Sequence, residues 1–283
     1  MPPGPPHRRE GGQGSGADGG MSLSWLILTL LAAAALVTSI ISAIIGMGGG
    51  ILLLATMFCF LPHSEAIPVH AVVQLASNST RIVAYLGSAD RRVVLRFTLG
   101  LLPGSALGAL MLWRFGRAEA SEPYLKMIVG MYVLVTPFLP RPANGRAARG
   151  QWWDFPLLGL VAGSLALTVG AVGPLIAPLF TRRGFVKERL IATKAACQMV
   201  THLVKLPAFI WLGTFALGEL WSLAIPMVIM VIPGTLLGRR LLKFVSPETF
   251  QTMYRVALVL AGSKVLLFDG LWKLAQAGTS GGG

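Results

Sequence analysis

The chain has 283 residues, 54% of them hydrophobic and 12% charged, with a mean hydropathy of +0.69. Soluble domains carry roughly 25% charged residues, so this composition excludes an ordinary soluble domain and points to an integral membrane protein. The net charge of +13 does not call for a nucleic acid, because the basic residues lie in short loops between apolar runs, where orientation and anionic headgroups account for them.

In chain order, residues 1–20 are rich in Gly and Pro and have almost nothing to bury, so a disordered tail is expected over 1–22, with Met21 as an alternative start. The apolar stretch 23–45 is too long for the core of a signal peptide and runs directly into Gly46-Met47-Gly48-Gly49-Gly50. Helices are predicted near 23–45, 51–61, 68–87, 93–113, 124–139, 153–169, 174–181, 189–212, 220–238 and 248–268. The last residues, GTSGGG, complete a flexible tail expected over 271–283. The runs have helical length rather than ten-residue alternation, so the fold is read as an all-α polytopic bundle and not a barrel.

Two of these helices are too short to cross a bilayer. At 1.5 Å per residue, 51–61 reaches about 16 Å and 174–181 about 12 Å, against roughly 30 Å of hydrocarbon. Each is read as one arm of a broken hairpin whose glycine turn lies at membrane depth.

The sequence repeats itself. A shift of 124 residues places Gly46 on Gly170, Gly50 on Pro174, Gln74 on Gln198, Asn78 on His202 and Arg81 on Lys205. A shift of 130 then places Pro103-Gly104 and Leu107-Gly108 on Pro233-Gly234 and Leu237-Gly238. The expected organisation is a first membrane repeat at 23–140, a cytoplasmic linker at 141–152 and a second membrane repeat at 153–270. Each repeat contributes a broken glycine-turn hairpin followed by three transmembrane helices, giving about eight spans.

Basic residues cluster in loops of one parity: Arg91, Arg92 and Arg96; Arg141, Arg146 and Arg149; Arg182, Arg183, Lys187 and Arg189; Arg239, Arg240 and Lys243. These loops should face the cytoplasm. The first hairpin then enters from outside and the second from inside, so the repeats are inverted, as in many secondary transporters that bind substrate where helices break.

Candidate binding residues follow from this geometry. Glycines at the start of a short helix leave unshielded backbone N–H groups, a donor array suited to an anion; Gly46, Gly48, Gly49 and Gly50 fit it, and Gly170 and Gly173 repeat it more weakly. The competing reading is close helix packing by small residues. In the next helix Gln74, Asn78 and Arg81 share a face, and in the second copy Lys194, Gln198, Thr201, His202 and Lys205 do so. Arg81 and Lys205 are buried cations with few acidic neighbours in the apolar segments, which suits an anionic ligand. Lys194 lies near its helix end and is expected to snorkel to the cytoplasmic interface. His70 is read as an ordinary core histidine near the outer end of its helix, whereas His202, one turn from Gln198 and Lys205, could relay a proton.

Cys59 and Cys197 both fall inside apolar helices and suggest neither a disulfide nor a metal cluster. No Ser/His/Asp, HExxH, Walker or Rossmann pattern stands in a fitting context. No catalysis, cofactor or metal is therefore expected.

The GMGGG hairpin, its degenerate repeat, the polar helix after each and the Pro-Gly-x-x-x-Gly helix after that resemble the TauE/SafE sulfite exporter family over about residues 24–268. The resemblance implies a multi-pass inner-membrane transporter of small sulfur-containing anions of the sulfite, sulfonate or thiosulfate type. The proline that usually follows the glycines is present in the second copy as Pro178 and replaced in the first by Leu54-Ala55. An anion channel and a non-transporting membrane assembly protein are the alternatives. A coupling proton and a homodimer are left open.

Overall fold

The structure, a computed structural model, describes residues 17–61, 63–115, 122–135, 138, 151–169, 172–211 and 217–280. Its helices are α1 (Ala17–Ile45), α2 (Gly49–Met57), α3 (His63–Ala84), α4 (Arg91–Phe115), α5 (Glu122–Val135), α6 (Asp154–Val169), α7 (Gly173–Arg182), α8 (Lys187–Trp211), α9 (Leu217–Leu242) and α10 (Pro247–Lys264). A π-helical stretch, Val265–Trp272, continues α10 into α11 (Lys273–Ser280). The described residues contain no strand.

Three boundaries differ from expectation. Helix α1 begins at Ala17, inside the composition-defined tail, because extending a formed helix backward by a turn costs only propensity and no new nucleus. Helix α3 begins at His63 and runs through Pro68, at the cost of the one i−4 bond that a proline cannot make. At the other end, helical structure reaches Ser280, beyond the 271 boundary. Val265 and Gly270 of the π-helical stretch are buried, and Lys264 pairs with Asp269 across it at 2.7 Å. The linker expected at 141–152 lies outside the described residues except for its last two.

Helix pairs cross between the two halves of the chain. The two most extensive pairs are α4 with α6 and α1 with α9, and each is built on glycines. A Cβ on Gly108 would lie 2.5 Å from the Ser164 carbonyl oxygen, and one on Gly238 would lie 2.7 Å from that of Ile40. Gly104 faces Leu160 and Gly234 faces Leu36 in the same manner. Gly104 and Gly108 map onto Gly234 and Gly238 by 130 residues, while Leu36 and Ile40 map onto Leu160 and Ser164 by 124. Both shifts therefore reappear in the packing.

A third correspondence involves α5 and α10 with its π-helical continuation, whose sequences carry no obvious motif. A Cβ on Gly130 would come to 2.6 Å of the Leu266 nitrogen, and one on Gly262 to 2.6 Å of the Leu134 nitrogen. The two contacts interchange under a shift of 132. Without side chains at these positions the backbones approach closely, and the packing of small residues replaces the hydrophobic drive that lipid does not supply.

The outer faces are apolar. On α4, Leu95, Leu99, Leu102 and Leu110 are exposed, and on α9, Ile225, Ile229, Ile232 and Leu236. Contiguous apolar surface of this extent marks contact with something other than water. Trp25–Ile45, Arg91–Arg114 and Trp221–Leu242 are each long and apolar enough to cross a membrane, and Asp154–Leu167 is a shorter apolar helix.

Candidate functional site

The chain between α1 and α2 cannot remain helical. Gly46 and Gly48 adopt φ of 80° and 90°, conformations that a side chain would strain. The turn at 46–48 lets α2 start afresh, with the N–H groups of Gly49, Gly50 and Ile51 ahead of its first helical bond, Leu52 N–H to Gly48 O at 3.0 Å. Helix α7 starts likewise at Gly173, with Pro174 in its first turn, where a missing N–H costs nothing.

Between these two helix starts lies a small cavity of about 20 Å³, room for the centre of about one water. Its walls come from four places. The first turn gives Ser42, Met47, Gly48, Gly50 and Ile51; α3 gives His70, Gln74 and Arg81; the second turn gives Val172, Gly173 and Pro174; and α8 gives Lys194, Gln198 and His202. The spacings 70, 74, 81 and 194, 198, 202 put each helix's contribution on a single face.

Side chains pin the first glycine turn at both ends. Lys194 Nζ donates to Gly46 O at 2.8 Å. His70 Nε2 donates to Gly50 O at 2.8 Å, which fixes the Nε2–H tautomer of a neutral ring and leaves Nδ1 as an acceptor. That Nδ1, His202 Nδ1 and Gln198 Oε1 have no hydrogen-bond partner among the described residues. The His70 and His202 rings meet edge to face with centroids 6.2 Å apart. Arg81 is 2% exposed and Lys194 1%, and Arg81 directs Nε and Nη2 to the Ser77 carbonyl and hydroxyl at 3.3 and 3.2 Å. The lining contains two cations, two helix N-termini with their partial positive charge, and no carboxylate.

Among the predicted residues, Gly48, Gly50, Gln74, Arg81, Gly173, Gln198 and His202 meet on this lining. The glutamines have matching places: Gln74 Nε2 would lie 2.9 Å from a Cβ on Gly50, and Gln198 Nε2 the same distance from one on Gly173. Gly46 supplies the carbonyl held by Lys194. Gly49 packs against Thr38 and Ser42 of α1. Asn78 is buried, with no hydrogen-bond partner for either amide atom among the described residues, and is not on the lining. Lys205 stands over the Phe209 ring at 5.2 Å, also off the lining. Gly170 lies outside the described residues.

Two lining residues had been read otherwise. Lys194 does not snorkel: its ammonium is buried and donates to Gly46 O, a carbonyl that the broken turn presents to it. His70 is not merely core, since it holds the other end of that turn. The signal that would have found both is the repeat itself, which places His70 on Lys194 at the shift of 124.

Below the cavity, on the side of the basic loops, Asp90 N–H donates to Thr193 Oγ1 at 2.9 Å and Arg189 pairs with Asp90 at 2.8 Å. Asp90 also accepts from the N–H groups of Arg92 and Val93 at the start of α4. No group of three or more potential metal ligands occurs among the described residues.

Apolar helices long enough to span a bilayer, packed around a buried polar cavity, define an integral membrane protein. A family model described as sulfite exporter TauE/SafE matches residues 31–265, and the chain belongs to that family. Membership implies a membrane transporter of sulfur-containing anions. Comparison with curated proteins and with solved structures gives no match.

Proposed function

We propose that the protein is a multi-pass secondary transporter of the cell (inner) membrane that moves a small sulfur-containing anion by alternating access, binding it in the cavity between the two broken helices. The observation that carries this reading is the make-up of the cavity. Two helix N-termini and two buried cations converge on it with no carboxylate, an arrangement that favours an anion and repels a cation. The binding residues are Gly48, Gly50, Gln74, Arg81, Gly173, Gln198 and His202, joined by Lys194 and His70.

The inverted-repeat arrangement of about eight spans has its support in the glycine contacts. Matching pairs α1–α9 and α6–α4, together with the mutual contact of α5 and α10, are what a pseudo-two-fold axis in the membrane plane produces. Trp113 and Trp211, with ring centroids 6.5 Å apart, suit the outer interface, and Trp152 and Trp153 the inner one. His70 and His202 are the lining groups able to take a coupling proton.

Reconstitution into proteoliposomes tests the function. Saturable sulfite counterflow is expected, with Arg81→Gln raising the half-saturating concentration; an ohmic current would make the protein a channel, and absence of flux would leave an assembly role.

A further inference from the structure

We propose that the cavity takes its anion in the doubly charged form, held between Arg81 and Lys194, and that Lys194 reaches it by exchanging the Gly46 carbonyl for an oxygen of the anion. The inference rests on the reading of the cavity as the anion site.

Two observations carry it. The first is a charge count. Arg81 and Lys194 come from different halves of the chain, are 2% and 1% exposed, and line one cavity that no Asp or Glu reaches. Buried charges are normally paired, because removing an ion from water is costly and only an opposite charge repays it. Of the two lining cations, a neutral occupant compensates neither and a monoanion one. A dianion compensates both.

The second observation is that Lys194 is bound to something it can leave. Its partner is a backbone carbonyl, at 2.8 Å, on a turn whose Gly46 and Gly48 already sit at positive φ. An ammonium–carbonyl bond is weaker than an ammonium–oxyanion bond, so an arriving dianion competes successfully for the Nζ–H groups. The cavity as it stands has room for about one water and must widen to take an oxyanion. Release of Gly46 frees the turn that forms one wall.

The test uses the full-length protein in detergent at fixed ionic strength, with anion affinity read from thermal stabilisation. Probes are sulfate and thiosulfate as dianions, methanesulfonate and nitrate as monoanions, and sulfite across its second ionisation. Dianions are expected to bind at least about tenfold more tightly than the monoanions, since close ion pairs in buried sites carry at least that factor. The Kd of sulfite relative to that of sulfate at the same pH should fall as pH rises, because sulfate keeps its charge and reports any loss of the Lys194 proton. Lys194→Gln keeps a donor for Gly46 O but removes one charge, and should bring the dianion-to-monoanion ratio close to one.

Equal wild-type affinities for the two classes, or a sulfite Kd that falls relative to that of sulfate as pH is lowered, would overturn the charge assignment while leaving the site in place. Stabilisation by no anion of either charge would overturn the site as well. Should Lys194→Gln fail to fold, the wild-type series decides alone.

Discussion

Alanine at Gly49 and at Gly48 should injure the protein in two different ways. At Gly49 the added Cβ would stand 2.9 Å from the Thr38 carbonyl carbon, closer still to its oxygen, and 2.6 Å from Ser42 Oγ. Ordinary contact begins near 3.4 Å, so α2 must move off α1 by about an ångström. The turn that would have to move is pinned by Lys194 at Gly46 and by His70 at Gly50, and it has little freedom to comply. Overpacking of this kind costs about 1–3 kcal/mol, and at roughly 2–4 °C per kcal/mol for chains of comparable size the melting temperature should fall by about 2–12 °C. At Gly48 a Cβ meets nothing within 4 Å, yet φ is 90°, so the cost is backbone strain alone, about 1–3 kcal/mol. The two variants are separated by a compensating change: Gly49→Ala should be partly rescued by Ser42→Ala, which withdraws one of the atoms it strikes, and Gly48→Ala should not. The assay is thermal unfolding of purified protein followed by loss of the monodisperse peak in size-exclusion chromatography. Wild-type melting of Gly49→Ala would refute the close approach of α2 to α1, and equal rescue of both variants by Ser42→Ala would refute the distinction between contact and strain.

Orientation and symmetry give two further predictions. On a background lacking reactive native cysteine, cysteines introduced at Gly145 and Lys243 should be labelled only from the cytoplasmic side and one at Gly218 only from outside; labelling of Gly145 and Gly218 from the same face would end the inverted arrangement. Gly130→Ala and Gly262→Ala face equivalent backbone at equal distance and should lower the melting temperature by similar amounts, each about 1–3 kcal/mol, with a clear difference between them in repeated melts counting against equivalence of α5 and α10.

The helical elements were legible because apolar runs and glycine turns state their own length: 174–181 appears as Gly173–Arg182 and 189–212 as Lys187–Trp211. The repeat was legible as far as motifs carried it, through Gly46, Gln74 and Pro103. It was not legible in α5 and α10, where the repeated quantity is the approach of a bare backbone at Gly130 and Gly262, and a lone glycine says nothing about which helix lies opposite. Within the site, reading each residue by its own helix position misplaced Lys194 and His70. Distance from a helix end predicts snorkelling only if no other polar group is offered, and here the carbonyl of Gly46, from another segment, takes the ammonium. Lys205, equally basic and equally buried, was selected on local pattern and lies beside Phe209 instead. Which of several cations on one helix face meets the cavity depends on where the partner helix breaks, and that is a tertiary fact.

The exchange of partners between halves bears on how the chain is made. Helix α4 finds α6 soon after synthesis, but α1, which ends at Ile45, waits for α9, which begins at Leu217. At 5–20 residues per second the roughly 170 intervening residues take about 10–35 s to emerge. Throughout that interval the surface of α1 that will receive Gly234 and Gly238 has only lipid or the insertion machinery against it. Separately expressed halves should accordingly be degraded on their own and accumulate only when produced together, and the newly inserted first half is the stage at which quality control has most to recognise.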